Sequence, residues 1–412
     1  MVGPINARLK RVTRYLREAA TLVRRRQFTL LWDKARRLSL RVEALLSFEQ
    51  LSRACADFAP KVILLDSSLG GGVTLTAERD FRHFLEQGLG VLAIGSTPLG
   101  ELTARLTRSG DPTPVLSGRI EALPPLPASV DRIEVHSLAT FTNPEAVREW
   151  LLNASELGVA VLVHWHDHFM LCPTRHLLDS TDQYCGAPDS SFCNRCLPKN
   201  LNCRDAKLRK VDMSEWRKAW GQLLEQVSEV RTFSPSSQAL LKQVWAERRL
   251  PVALVPHDAT AVAGHLITPA AIEPLHIGVI GRISKHKGAR RVVELAHYLA
   301  SIESQARITV FGLLDESAPS KIIQQTGPYQ REELTNLCRG SGVNVFWMPS
   351  ICPETFSYVL HEMKSMGLPI LAYDVGAQAD YLIDYPKGKV VALDATSQEI
   401  FEALSVLGGI AT

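Results

Sequence analysis

The strongest constraint on this chain is an alternation of short apolar runs with helical periodicity, which starts near residue 60 and continues to its end. Short apolar runs bounded by Gly, Ser or Asp suit strands covered on both faces. The stretches between them, with apolar residues three and four positions apart, suit amphipathic helices. Parallel strands need a helical crossover of this kind, so the pattern specifies βαβ units and parallel sheets.

In the first half, strands are expected at 61–66 (KVILLD), 91–94, 133–138 and 159–165. Helices are expected through Phe81 and Phe84, over about 146–157 and over 214–250. Gly, Pro, Ser and Thr crowd residues 95–130, which read as loop, and residues 251–275, rich in Pro, Ala and Thr, read as a linker. Beyond the linker the pattern predicts strands at 276–281, 307–312, 343–348, 369–373 and 389–393. Helices fall between them at about 288–300, 331–338, 355–366 and 397–404. The expected fold is α/β: two Rossmann-like domains, 56–260 and 270–412, facing a cleft. A helical extension (1–55) precedes them, and a cysteine-rich loop insertion (172–203) interrupts the first.

Length and composition agree with this. A chain of 412 residues has room for two cores, and 46% hydrophobic with 22% charged residues excludes a disordered or fibrous class. No apolar run is long enough for a transmembrane helix, and the N-terminus lacks the pattern of a signal peptide. Eight cysteines without an export signal argue against a disulfide framework. The chain is therefore expected in the cytoplasm. The formal charge of +3 hides an asymmetry, because residues 1–50 hold 12 basic and 4 acidic side chains. Over residues 7–46, Leu9, Val12, Leu16, Ala20 and Val23 recur at helical spacing among arginines. Two readings stand side by side: a helix lying on an anionic membrane surface at the inner face, or one packed on the protein body. A nucleic-acid partner is not expected, since aromatics are not interleaved with the basic residues and the whole chain is near neutral.

In open parallel sheets, ligands bind in the crevice outside the carboxyl ends of the strands. Gly281, Arg282, Lys285, Lys287 and Gly288 follow the first strand of the second domain. A glycine turn, cations and a helix N-terminus together make an anion site. Gly312 ends the next strand, and Gly327 and Tyr329 a later one. Glu354 and Glu362 are expected at the start of one helix and a little over two turns along it, on one side, where carboxylates can meet ligand hydroxyls.

These residues carry a resemblance. The stretch from Ile277 to about Leu404 resembles the donor domain of retaining GT-B glycosyltransferases, glycosyltransferase family 4 in particular. Gly281, Arg282, Lys287 and Gly288 match its G-R-x-x-x-x-K-G element. Pro349, Ser350, Pro353, Glu354, Phe356 and Glu362 match P-S-x-x-P-E-x-F-x-x-x-x-x-E, and Gly367 to Ile370 and Asp374, Gly376, Ala377 match two further pieces. The resemblance implies that Arg282 and Lys287 hold the donor diphosphate as it leaves. Glu354 would then approach the transferred sugar, Glu362 the ribose, and Gly327–Tyr329 the base. Backbone around Thr355–Phe356, at a helix N-terminus, would face the phosphates or sugar. The donor would be a UDP-, GDP- or dTDP-sugar, the acceptor a glycan or lipid-linked glycan, and catalysis would require no metal.

In the first domain Gly70, Gly71 and Gly72 follow a strand and precede a helix, and the resemblance turns Gly71 and Gly72 toward the donor. His164, His166, Asp167 and His168 end another strand. His166 and Asp167 are the expected cleft residues, and His164 an expected core residue. Cys172, Cys185, Cys193 and Cys196 follow, with Cys203 in reserve. The closing C-x-x-C is a zinc-knuckle spacing, and two upstream thiols complete a tetrahedral set. Structural zinc, free thiols and an iron–sulfur cluster are the three readings. The stretch His166 to Pro173, Tyr184 to Gly186 and Cys193 to Leu197 resembles glycosyltransferases of bacterial O-antigen, rhamnan and related surface polysaccharides. One departure is that the helix with which GT-B chains cross back to the first domain is not evident after Leu407. A different function class is also open at this point: a catalytically inactive nucleotide-sugar-binding or scaffold protein of the same fold.

Overall fold

The structure, a computed structural model, describes residues 44–409 except 68–69, 98–99, 204, 259–264, 269–273 and 318–320. The basic helices expected over 7–46 lie outside these residues apart from 44–46, as does part of the expected linker. Two sheets organise the rest. The first has eight strands in the order β4-β3-β2-β1-β5-β6-β7-β8, and the second has six in the order β11-β10-β9-β12-β13-β14. The fold is two Rossmann-like α/β domains, as the alternation predicts.

In the first sheet β1 (Val62–Ser67) lies between β2 (Val91–Ser96) and β5 (Arg132–Val135), parallel to both. Next to β5 come β6 (Ala160–His164), β7 (Glu229–Thr232) and β8 (Val252–Leu254), all parallel. The side chains of β1 alternate between two cores. Val62 and Leu64 join Phe81 and Phe84 of α2 (Gly72–Glu86), while Ile63 and Leu65 enter the main core under the other face. Such two-sided burial is what produces a continuous apolar run in sequence.

Three expectations change here. Residues 95–130 are not merely loop, because β3 (Leu102–Thr107) and β4 (Pro114–Ile120) form an antiparallel pair on the β2 edge. Their apolar residues alternate with half-buried or exposed polar ones, so the run is broken by Arg, Ser and Thr and the turn-forming composition masks it. The helix expected over 214–250 is two, α5 (Met213–Gln226) and α6 (Pro235–Val244), separated by β7. Ser234 caps α6 by accepting from the Ser237 amide, and Pro235 opens it. Finally, β8 falls inside the stretch read as linker.

The second sheet reverses direction between β9 (His276–Ile283) and β12 (Val345–Met348). From β9 the chain runs outward through β10 (Arg307–Leu314) to β11 (Ile323–Gln325), and beyond β12 lie β13 (Ile370–Tyr373) and β14 (Gly388–Val391). Again the faces alternate. Val345 and Trp347 pack against Leu295 and Leu299 of α7 (Ala289–Ser301), and Phe346 and Met348 pack against Leu360 and Met363 of α9 (Tyr358–Met366). A fully buried side chain of this size contributes roughly 1.5–3 kcal/mol. The reversal leaves a crevice at the carboxyl ends of β9 and β12, which is where such sheets bind ligands.

Candidate active site in the interdomain cleft

The β9 end is shaped by glycine. Gly281 and Gly312 sit side by side in register with φ of +103° and +136°, and a Cβ on Gly312 would lie 2.1 Å from the Gly281 carbonyl oxygen. A short turn over Lys285–Lys287 then ends at Gly288, left-handed at φ +80°, which caps α7. Residues 349–357 come in over this turn from β12. The Ile351 amide donates to the His286 carbonyl (3.1 Å), and fully buried Gln378 accepts from the Glu354 amide (3.1 Å) while donating to the Cys352 carbonyl (2.9 Å). Held so, Glu354 Oε1 is 3.6 Å from Lys287 Nζ. The Glu354 carboxylate is the main reason the Lys287 ammonium is held above its ordinary range.

Around this pair, Arg282 Nε donates to Asp315 (3.1 Å) and Arg331 Nε to Glu362 (2.6 Å). Burial raises the Glu362 carboxyl in spite of Arg331. Tyr329 packs on the second-domain core, and burial raises its phenol. The expectation that Glu354 opens a helix is corrected. Ser357 caps α9 by accepting from the Leu360 amide, so the helix starts at Tyr358 and Glu354, Thr355 and Phe356 precede it in a fastened loop.

From the first domain, Gly71 (φ +78°) precedes α2, and Gly72 faces the Tyr358 ring so closely that a Cβ would lie 3.0 Å from Cδ2. Thr76 Oγ1 and the Tyr358 hydroxyl are 3.1 Å apart. Half-buried His166 reaches the same cleft, its carbonyl accepting from Thr355 Oγ1 (2.9 Å). Asp167 accepts from Ser137 Oγ (2.8 Å) and from the Phe169 amide (2.9 Å). His164 is buried and pairs with Glu134 at 2.5 Å.

Three further histidines stand here: His168, which the sequence placed at the end of its strand, and His136 and His257, which it did not single out. His168 is buried, accepts from Trp165 Nε1 at Nδ1 (3.2 Å) and donates from Nε2 to the Pro353 carbonyl (3.2 Å). Both contacts need the neutral ring, and burial lowers its pKa to about 4. His136 Nδ1 lies 3.3 Å from His166 Nε2, and His257 stacks on Phe233 with centroids 3.8 Å apart. His136 ends β5 and obeys the same strand-end rule that marked His166, whereas His257 was concealed in the supposed linker. Ligand atoms of His136, His164 and His166 lie within 4.8 Å of one another, the one such group of three among the described residues. Their rings are stacked within 21° of parallel. Imidazole binds metals in its ring plane, so parallel rings do not converge on one ion. Burial also keeps His136 and His166 neutral.

The cysteine segment leaves the β6 end and folds back beside the cleft. Cys172, Cys185, Cys193 and Cys196 gather there, each close enough to interact with the other three, though not at ligand spacing. Buried Arg217 donates to Cys193 Sγ at 3.3 Å. His176 stacks on His286 at 3.8 Å, and Asp182 pairs with Lys285 at 2.6 Å. Tyr184 touches both domain cores. Among the described residues no helix is long and apolar enough to cross a membrane.

Comparison with known proteins fits this geometry. Residues 269–405 match the family described as Glycosyl transferases group 1. No curated protein sequence matches the chain. Among solved structures, sucrose-phosphate synthase from Thermosynechococcus elongatus aligns over 84% of this chain and 92% of its own, with 14% identity and a TM-score of 0.53. Anabaena HepE in complex with UDP aligns over 84% and 89%, with 16% identity and a TM-score of 0.48. The lipopolysaccharide outer core galactosyltransferase WaaB aligns over 85% and 90%, with 11% identity and a TM-score of 0.47. At these identities the likeness is one of fold.

Proposed function

We propose that this chain, a GT-B glycosyltransferase, transfers a sugar with retention from a nucleoside-diphosphate donor to a glycan or lipid-linked glycan. The observation that carries the reading is the meeting of Lys287 and Glu354 at the β9/β12 reversal, 3.6 Å apart, with Glu362 and Tyr329 beside them. Lys287 and Arg282 hold the diphosphate and stabilise the charge that grows on it as the glycosidic bond breaks. Glu354 orients the transferred sugar, Glu362 takes the ribose hydroxyls, and Tyr329 borders the base. Amides at Thr355 and Phe356 and the open turn at Gly71 and Gly72 admit phosphate and sugar close to the main chain. His166, kept neutral by burial, hydrogen-bonds the sugar from the first domain. The leaving phosphate takes the acceptor proton on the same face of the sugar, and rate comes from positioning and charge stabilisation.

The sequence pieces around Glu354 and around Cys172 also support family 4 and a place in bacterial surface-polysaccharide synthesis. Titration calorimetry with UDP, GDP and dTDP and their sugars tests the reading. One nucleotide should bind well, and Lys287→Ala should weaken it about 10- to 100-fold, the worth of one charge-assisted hydrogen bond. Donor hydrolysis or transfer that survives both Lys287→Ala and Glu354→Ala would refute it. Binding without turnover on any acceptor would leave an inactive binding protein instead.

A further inference from the structure

We propose that Cys172, Cys185, Cys193 and Cys196 together bind one thiophilic divalent cation, zinc, and that this ion orders the loop gripping the Lys285–Lys287 turn. The first argument is charge. Arg217 is only 8% exposed, and its donors go to the Leu171 carbonyl (3.3 Å), the Pro188 carbonyl (2.6 Å) and Cys193 Sγ (3.3 Å). No carboxylate pairs with it among the described residues. A buried guanidinium without an anion is costly. Four thiolates around a divalent cation carry a net charge of −2 and put the missing counter-charge beside it.

The second argument is the set of donors at the sulfurs. Thr174 Oγ1 meets Cys172 Sγ at 3.3 Å and Asn200 Nδ2 meets Cys196 Sγ at 3.5 Å. Arg217 serves Cys193. Three of the four sulfurs therefore accept a hydrogen bond, which is what coordinated thiolates attract and neutral thiols do not need. Cys203 points its own thiol at the Asp205 carbonyl (3.5 Å), as Cys193 does at the Pro188 carbonyl (3.6 Å). Cys193 and Cys196 stand three residues apart on the short helix α4 (Ser190–Cys196), as in a zinc knuckle.

Ligation requires side-chain rotation to draw the sulfurs into a tetrahedron. It releases four protons as one zinc ion replaces them. The Cys193 thiol now lies 3.6 Å from the Pro188 carbonyl, which keeps its Arg217 donor when that proton leaves. An all-sulfur set selects zinc over magnesium or calcium.

The segment between the first two ligands is the one that grips the second domain, through His176 on His286 and Asp182 on Lys285. Of the six non-glycine residues with positive φ among the described residues, four, namely Arg175, Leu177, Asp182 and Ala187, lie in or just after it. A cation fixing both ends of this irregular segment also fixes the turn that carries Lys287. This second clause rests on the proposed donor site, whereas the metal itself does not.

The test is elemental analysis of the purified full-length chain, with cobalt substituted for the native ion. About one zinc per chain is expected, and the cobalt form should show sulfur-to-metal charge-transfer bands and the visible bands of a tetrahedral four-sulfur site. Cys193→Ser and Cys196→Ser should lose the metal, while Cys203→Ser should keep it. Should the first two variants fail to fold, the cobalt spectrum of the wild type decides. Folded wild-type protein without metal, disulfides among the four cysteines, or iron with labile sulfide would each overturn the site. Chelator treatment should raise donor KM roughly 10-fold with little change in kcat. An unchanged KM would overturn the grip on the donor turn and leave the metal assignment standing on its own stoichiometry.

Discussion

Gly288→Ala is the sharpest single perturbation the architecture offers. A Cβ at this residue would lie 1.9 Å from the Pro349 carbonyl oxygen and 2.7 Å from its carbon. Both are main-chain atoms, so no rotamer change relieves the clash. The left-handed φ of +80° adds about 1–2 kcal/mol for an L-residue, and the forced main-chain shift about 1–3 kcal/mol more. The expected loss is therefore about 2–5 kcal/mol, or roughly 5–15 °C in Tm for a unit of this size. The displacement also has a direction: it parts the Lys287 turn from the loop holding Glu354. A shift of about 1 Å in a positioning element costs on the order of 100-fold in rate. Gly340→Ala is the control. It lies inside α8 (Leu334–Ser341), and its Cβ would meet no heavy atom within 4 Å. It should stabilise by about 0.5–1 kcal/mol. Thermal unfolding and donor titration on both variants supply the readout. A Gly288→Ala protein that melts and binds like wild type, or a Gly340→Ala protein equally damaged, would refute the reasoning.

Two other outcomes are expected. Tyr358→Phe removes the 3.1 Å contact with Thr76 across the cleft and should cost about 1 kcal/mol without altering the fold; an unchanged Tm and donor affinity would show that the contact contributes nothing. Stability should also fall in acid. His168 and His257 are lowered by burial to about 4 and about 3, so the unfolded chain takes up their protons first. Their contribution is complete above about pH 6.5 and is lost as pH falls toward those values, about 3 kcal/mol for His168 alone. Asp66, raised by burial to about 7, acts oppositely, its stabilising protonated form being lost as pH rises through 7. His136 and His166, with His276 and His361 lowered by burial to about 4, reinforce the first effect, and Asp167 and Glu362, also raised by burial, the second; six imidazoles outweigh three carboxyls. Urea midpoints that stay level from pH 7.5 to 5 would contradict this.

What could be read from the sequence follows from how each element is covered. Strands buried on both faces, such as β1 and β12, are unbroken apolar words and stood out. The β3–β4 pair has one face open, and its pattern dissolved among Ser, Thr and Arg. The Lys287–Glu354 meeting was legible as two strand-end motifs, but Gln378, which holds the Glu354 loop, was not. Its place depends on the backbone of residues far away in the chain. His168 was legible as a strand-end residue, but its partners were not. A histidine in the run HWHDHF becomes informative only when Trp165 and the Pro353 carbonyl fix opposite ring nitrogens.

The contacts that close the cleft are also the contacts that build the site. His168 donates to Pro353 and Thr355 to the His166 carbonyl, so the first domain grips the residues flanking Glu354 on both sides. At one rim the Ser236 amide donates to Asp380 (2.9 Å) and the Tyr381 hydroxyl to the Phe233 carbonyl; at the other stands the Asp182–Lys285 pair. Each such contact is worth about 0.5–1.5 kcal/mol net. Together they sum to about 5 kcal/mol, an opening accessible in roughly one molecule in several thousand before apolar contacts are added. A donor that touches both domains would favour the closed form by as much as its contacts differ between the two states. Closure would then carry His166 and the Glu354 loop to the sugar in one movement. Loss of either central bond should accordingly loosen donor binding and misplace Glu354 together, rather than one without the other.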